Sequence, residues 1–404
     1  APAGPCPLQI HDFHDVGATH ASPLHETAHP QPSNKSGTIP VMNIAIVADW
    51  LTVFGGAERV VAELHAVFPQ APIFTTVAHH KNIGQLKDAD LRTSSLQKWY
   101  RLFPVHQLFI SMMPRAVERF DLTGMEVIVS SSHAVAKGII PPSDAVHICY
   151  CHTPMRYAWE MEKEYLDDFR VPQFLRKSIK KRLSDLRRWD MTTARRVDVF
   201  LANSKETQER IRKIYGREST VLPPPVHQRF FDIPLNAERS SFLAVGRLVP
   251  YKRFDLLIAL ANKLHLPLTI VGTGHEERRL KAMAGATITF RGRVEDAELP
   301  ELYRSSNAVF FAPHEDAGIV PMEAQACGTP VIAYGKGGAL DTIIDGETGV
   351  FFEEQTVESL EKTFRRFSTI TFDEDKIREH AKKFSAGQFR KQWKEILEKA
   401  LAKN

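Results

Sequence analysis

Two glutamates, Glu315 and Glu323, stand with seven residues between them in His314-Glu-Asp-Ala-Gly-Ile-Val-Pro-Met-Glu323, directly after an apolar run that reads as a strand. The spacing sets Glu315 in the loop and Glu323 two turns into a following helix, which Gly318 opens. Carboxylates accept hydrogen bonds and repel phosphate, so the natural partners of such a pair are hydroxyl groups, as on a sugar or a ribose. The helix start between them, at Gly318 and Ile319, presents free amides that suit a diphosphate. The alternative is a Glu315 that caps the helix and a Glu323 that is an ordinary exposed residue.

Cations lie at a second strand end. Val245-Gly-Arg-Leu-Val-Pro-Tyr-Lys-Arg253 leaves an apolar run and enters a helix, with Arg247 and Lys252 five apart. An Arg with bidentate donors and a Lys acting as a point charge can clamp a diphosphate; a solvated basic loop is the alternative. Gly55-Gly56 follows the first strand and opens a helix, a place where backbone approaches a ligand closely, although the G-x-G-x-x-G dinucleotide pattern is absent. Cys149-Tyr-Cys-His152-Thr-Pro-Met-Arg156 ends another strand, so that His152 and Arg156 face the same cleft. A cleft histidine can hydrogen-bond a sugar or a leaving oxygen, and a buried structural histidine is the alternative. Ser130-Ser-Ser-His133 is a similar strand end, ranked below it.

The elements that must position these residues are alternating buried strands and amphipathic helices. Strand-like runs at 43–49, 72–77, 127–131, 147–152 and 199–204 are followed, past Pro223-Pro224-Pro225, by a tighter series at 242–248, 268–272, 288–292, 308–312, 330–334 and 349–352. Such alternation predicts α/β architecture with two doubly wound parallel-sheet domains, whose carboxyl edges face a shared cleft. The domains are expected at 42–226 and 227–384, followed by a charged amphipathic helix over 385–404. Residues 1–41, rich in Pro, His, Ser and Thr, read as a disordered extension or leader, with Met42 as the natural start.

The composition is that of an ordinary globular chain: 404 residues, 43% apolar and 25% charged, with a formal charge of +4. That mild excess does not suit a dedicated nucleic-acid binder, and no nucleic-acid partner is expected. The four cysteines include no C-x-x-C, so neither a disulfide framework nor a zinc site is indicated, and a reducing, cytoplasmic setting is expected. No apolar run is long enough to span a membrane. Segment 170–196 carries ten Lys or Arg against Asp185 and Asp190, interleaved with Phe174, Leu175, Leu183, Leu186 and Trp189. A solvated helix face is the default reading, and the functional one is a basic amphipathic helix able to lie on an anionic membrane surface, on the inner face of the cell membrane. No Asp-x-Asp motif stands at the carboxyl end of any of these strands, so no obligatory metal and no cofactor are expected.

Taken together the motifs resemble family 4 of the retaining glycosyltransferases, a group of GT-B fold with a Glu-x7-Glu signature in the C-terminal domain. The resemblance runs from Asn43 to about Phe367, through Gly-Gly-Ala-Glu-Arg at 55–59, His-Ile-Cys-Tyr-Cys-His-Thr-Pro-Met-Arg-Tyr at 147–157, Ala-Asn-Ser at 202–204 and Glu-Ala-Gln-Ala-Cys-Gly-Thr-Pro-Val-Ile-Ala-Tyr at 323–334. It is strongest to the bacterial mannosyltransferase-like branch that builds surface polysaccharides. The resemblance implies a nucleotide-diphosphate sugar, GDP-mannose favoured, and a glycan or polyprenyl-diphosphate-linked acceptor. It puts the donor diphosphate on Arg247 and Lys252, the sugar hydroxyls on Glu315 and the ribose on Glu323. Backbone near Gly318 and Ile319 would assist, His152 would lie beside the transferred sugar, Gly55 and Gly56 would shape the acceptor side, and the last helix would pack back on the N-terminal domain. One departure stands out: where the branch has Glu-Asp-Phe-Gly, Ala317 replaces the aromatic, which would loosen the loop carrying Glu315. Beside transfer, two readings stay open: a non-catalytic nucleotide-sugar binder or scaffold, and a sugar-nucleotide epimerase of the same fold.

Overall fold

The computed structural model describes residues 42–159 and 173–402. The extension expected over 1–41 lies outside the described residues, as do the first residues of the basic segment. Seven parallel strands form the first sheet: β1 Ile44–Ala48, β2 Ile73–Thr75, β3 Leu91–Thr93, β4 Val127–Ser132, β5 Val146–Cys151, β6 Val199–Ala202 and β7 Ser219–Val221, in the order 3-2-1-4-5-6-7. Six more form the second: β8 Ser241–Val245, β9 Leu268–Val271, β10 Ile288–Gly292, β11 Ser306–Phe311, β12 Val331–Tyr334 and β13 Gly349–Phe352, in the order 10-9-8-11-12-13. Each sheet reverses its winding beside its first strand, between β1 and β4 and between β8 and β11. In open α/β sheets that switch point is where ligands bind, outside the carboxyl ends of the strands.

The apolar runs are continuous because both faces of each sheet are covered. In β1, Ile44, Ile46 and Ala48 enter one core cluster, while Ala45 and Val47 enter another on the opposite face. In β11, Ala308 and Phe310 face one cluster and Val309 and Phe311 the other. Strands β3 and β7 are additions to the reading from sequence: both are three-residue edge strands that are not fully buried, too short and too wet to leave an apolar run.

Two chain segments link the halves side by side. Val226 donates to Phe384 O at 2.8 Å, and Ala386 donates back to Val226 O at 3.0 Å. The last helix, Ala386–Leu401, then turns to the first sheet. Its stripe of Phe389, Trp393, Leu397 and Ala400 lies in the same cluster as Ile44, Ile46 and Tyr150, a helical spacing that buries one face. The basic helix spans Gln173–Thr193. Of its two acids, Asp185 is exposed beside Arg188, whereas Asp190 is fully buried against the Lys137 ammonium at 2.6 Å. No described helix is long and apolar enough to cross a membrane.

Candidate active site

After β8 the chain turns at Gly246, and after β9 at Gly272, with φ of +155° and +134°. The two turns lie so close that a Cβ on Gly272 would fall 1.9 Å from Gly246 O, and one on Gly274 2.2 Å from Leu248 O. Only glycine permits this contact, and it fixes the loop that carries the two cations. Arg247 points outward, exposed, and its guanidinium donates to Tyr251 Oη at 3.2 Å. Lys252 folds back over Gly246 and makes an ion pair with Glu315. The cation of one strand end and the carboxylate of the next thus meet at the switch point.

Glu315 does not cap the following helix: Gly318, in the left-handed region at φ +60°, is the N-cap residue and no side-chain cap bond is present. The helix runs Ile319–Ala326 and has Pro321 in its first turn. Proline carries no N–H, so the helix start offers the amides of Ile319 and Val320. The loop bearing Glu315 rests on the backbone of Gly337-Gly338, where Gly338 donates to Glu315 O at 2.8 Å. A Cβ on Gly338 would meet Asp316 O at 2.4 Å. Ala317 lies in this same seat, its backbone C and Cα 2.6 and 2.7 Å from where that Cβ would be. Asp316 is further held from the first domain by Arg210, and Arg156 approaches it to 3.8 Å.

Glu323 is buried, 4% exposed, rather than an ordinary surface residue. It accepts from Arg59 Nη1 at 2.5 Å and from Tyr303 Oη at 3.0 Å. Burial pushes its carboxyl up, and the charge of Arg59 opposes that. Arg59 belongs to the helix Gly56–Val67 of the first domain and also reaches Asp296 at 3.2 Å. The glycine pair seats this helix against the second domain: a Cβ on Gly56 would lie 2.7 Å from Ile319 Cδ1. The Gly55 amide itself donates to Glu58 Oε2 at 3.0 Å.

His152 is mounted on the first sheet, with Nε2 2.8 Å from Ser131 Oγ and its carbonyl accepting from Thr207 Oγ1 at 3.1 Å. Burial above all, with the charge of His133, drives its pKa down to about 3, so the ring is neutral. The structure gives His133, ranked lower from sequence, the firmer seat. Its Nδ1 lies 2.9 Å from Asp49 Oδ2, and the Asp49 carboxylate, 1% exposed, also accepts the amides of His133, Ala134, Val135 and Ala136 at 2.5–3.0 Å. Burial alone would raise Asp49, but the His133 charge and these bonds hold it below the ordinary carboxylate range; burial would lower His133, but Asp49 raises it above. His133 meets Trp50 edge-on at 4.6 Å, and Trp50 stacks on His106 at 4.7 Å.

The structure therefore joins Lys252 to Glu315, Gly56 to Ile319 and Arg59 to Glu323. His152 sits on the first-domain side, bonded to first-domain partners. Asp49 and Arg59 are the residues that sequence reasoning left without a role. Asp49 had one legible signal, an acid closing an otherwise wholly apolar strand; Arg59 had only its place in the Gly-Gly-Ala-Glu-Arg motif. Asp88-Ala-Asp90 leads into the amino end of β3, the end opposite the switch point.

Two parallel-stranded α/β domains with facing switch points define the GT-B architecture, and solved structures of that kind superpose on the chain. HepE of Anabaena, in complex with UDP, aligns over 89% of this chain and 100% of its own with a TM-score of 0.64 at 15% identity. Sucrose-phosphate synthase of Thermosynechococcus elongatus aligns over 89% and 100%, with a TM-score of 0.65 at 18% identity. Residues 54–230 match the family described as Glycosyltransferase Family 4, and residues 227–384 that described as Glycosyl transferases group 1. The two adjoining matches together span residues 54–384, so both halves of the chain resemble glycosyltransferase domains of this kind. Among curated relatives, the D-inositol 3-phosphate glycosyltransferase of Geodermatophilus obscurus is 31% identical over 39% of this chain and 42% of its own. A GDP-mannose-dependent alpha-(1-6)-phosphatidylinositol monomannoside mannosyltransferase of Mycolicibacterium smegmatis is 30% identical over 40% of this chain and 51% of its own. The matched stretch thus spans about half the length of these relatives.

Proposed function

We propose that the chain is a retaining glycosyltransferase that moves a hexose, mannose from GDP-mannose by preference, from a nucleotide-diphosphate sugar to a glycan or polyprenyl-diphosphate-linked acceptor. The observation that carries this reading is the Lys252–Glu315 pair beside the start of helix Ile319–Ala326, with Glu323 buried on that helix. The printed name of the Mycolicibacterium relative supports the choice of mannose, and the UDP-bound neighbours support a nucleotide donor.

In this reading the donor diphosphate replaces Glu315 as the partner of Lys252 and also meets Arg247 and the amides of Ile319 and Val320. The freed Glu315 accepts from sugar hydroxyls. Glu323 accepts from the ribose; each of its oxygens holds one donor and has a lone pair to spare. The acceptor oxygen attacks the anomeric carbon from the face the diphosphate leaves. As the new C–O bond forms and the old one breaks, the acceptor proton passes to a phosphate oxygen of the leaving group. Cations and helix amides oppose charge that grows on that leaving group, where such preorganised groups act most strongly. His152, neutral near pH 7, serves as a hydrogen-bonding partner of the transferred sugar and not as an acid. No metal or cofactor is required, and turnover in a chelator is expected to equal turnover without it.

The experiment is a thermal-shift screen of guanosine, uridine and adenosine diphosphate sugars, followed by assay of nucleoside diphosphate release with glycan and lipid-linked acceptors. Release with a stabilising donor is expected. A donor that stabilises the chain without release, across the acceptor set, would identify a binder and defeat the enzymatic reading.

A further inference from the structure

Thirteen large apolar side chains stand exposed among the described residues, and six of them fall within fourteen residues of chain: Trp99, Leu102, Phe103, Val105, Leu108 and Met112, at 44–68% exposure. Scattered single residues of this kind are normal; a cluster is not. The segment is not a loose loop. Leu96, Tyr100, Phe109 and Met113 plug the same stretch into the core, and Gln97 is buried with both ends of its amide on the Ala78 backbone at 2.7 and 2.9 Å. Short turns, such as Val105 donating to Phe103 O at 2.7 Å and Leu108 to Val105 O at 3.2 Å, then hold the apolar tips outward.

Along this stretch of chain the charge has one sign. From Leu91 to Val117 the sequence contains no Asp or Glu, while Lys98, Arg101 and Arg115 are exposed among the apolar tips. The first acid beyond, Glu118, is taken up by Arg196 at 2.9 Å and by the Trp189 indole at 3.0 Å. Trp189 ties the end of the lobe to the basic helix Gln173–Thr193, Arg196 to the turn that follows it, and both the lobe's end and the helix pack on the turn Ala136–Gly138. Exposed aromatic and aliphatic tips interspersed in the chain with exposed Lys and Arg match the boundary of an anionic bilayer, where the rings enter the headgroup layer and the cations meet lipid phosphate.

We propose that the lobe 98–115 is the surface by which the protein docks on an anionic phospholipid membrane. The lobe adjoins the site. His106, at its centre, stacks on Trp50 and lies 3.4 Å from Thr52 Oγ1, at the carboxyl edge of the first sheet beside His133. Docking there turns the acceptor side of the cleft toward the bilayer, a consequence that rests on the lipid-linked acceptor proposed above.

The test is sedimentation of the full chain with vesicles of equal parts phosphatidylglycerol and phosphatidylcholine, and with phosphatidylcholine alone, in the absence of nucleotide. The wild type binds the anionic vesicles and releases as salt rises. Trp99→Ser/Leu102→Ser/Phe103→Ser and Lys98→Ala/Arg101→Ala/Arg115→Ala each lose about tenfold or more in binding, with circular dichroism and nucleoside diphosphate release to a soluble glycan acceptor unchanged. Wild-type binding to neither vesicle, or apolar and basic variants that bind as the wild type does, overturns the proposal. So does a concentration-dependent dimer that the apolar variant abolishes while vesicle binding stays, since the lobe would then cover a second copy. Vesicle binding without release from any donor would sink the transferase reading and leave this surface standing; release without vesicle binding does the reverse.

Discussion

At the scale of residues, the site is a set of ion pairs that hold charged groups in place before a ligand arrives. The His133–Asp49 pair has a sign that can be checked. A histidine raised above its ordinary 6.5 contributes stability that is fully present below that value and is lost as pH rises through the raised pKa. An aspartate held below its ordinary 3.8 contributes stability present above that value and lost as pH falls through the depressed pKa. His133→Gln should therefore cost about 1–3 kcal/mol in urea unfolding near pH 6, and the cost should shrink at pH 9. A cost that is the same at both would mean the imidazole is not charged. Arg59→Ala leaves the buried Glu323 carboxylate with Tyr303 and without its cation, and a loss of about 2 kcal/mol is expected. The same unfolding measurement on Arg59→Ala/Glu323→Gln should recover much of that loss, because the unpaired charge is gone.

At the scale of elements, loops rather than helices carry the chemistry, and glycines set how near those loops come. Gly338→Ala puts a methyl group 2.4–2.7 Å from the backbone of Asp316 and Ala317. It should displace Glu315 and cost about 1–3 kcal/mol of stability, with donor affinity, read by thermal shift, falling in parallel. Gly216→Ala, at a helix end where nothing lies within 4 Å of the new Cβ, is the control: it carries left-handed strain alone and should leave donor affinity unchanged. The contrast also shows what was legible beforehand. All six strands of the second sheet and the five inner strands of the first could be read, most of them because strands buried on both faces leave apolar runs. The Glu315 loop and the Lys252 loop could be located at strand ends for the same reason. Their meeting could not, since it depends on Gly246 packing against Gly272 and on β8 lying beside β11, contacts between positions far apart in sequence. Asp49 escaped for a related reason: its partners are amides that only the fold brings to it.

At the scale of the whole molecule, the chain visits the first domain, then the second, and returns. Trp393, wholly buried against the first sheet, closes that circuit, and Trp393→Ala should cost about 3–5 kcal/mol in urea unfolding. Among the described residues the cleft is crossed by Arg59 to Glu323 and Asp296, by Arg210 and Arg156 to Asp316, by Glu206 to His314, and by the Lys205 amide to Asp341 at 2.7 Å. Each pairs a first-domain group with a residue of the second-domain edge, so both domains hold the residues of the site. Lys252 is the group on which the account converges, as the partner of Glu315 here and the proposed clamp of the donor diphosphate. The most direct measurement is nucleoside diphosphate release by Lys252→Ala under saturating acceptor, beside the wild type and with thermal stability checked. The account predicts a fall in kcat/KM of about thirtyfold, equivalent to about 2 kcal/mol of transition-state stabilisation. Unchanged turnover in a folded Lys252→Ala protein would contradict it.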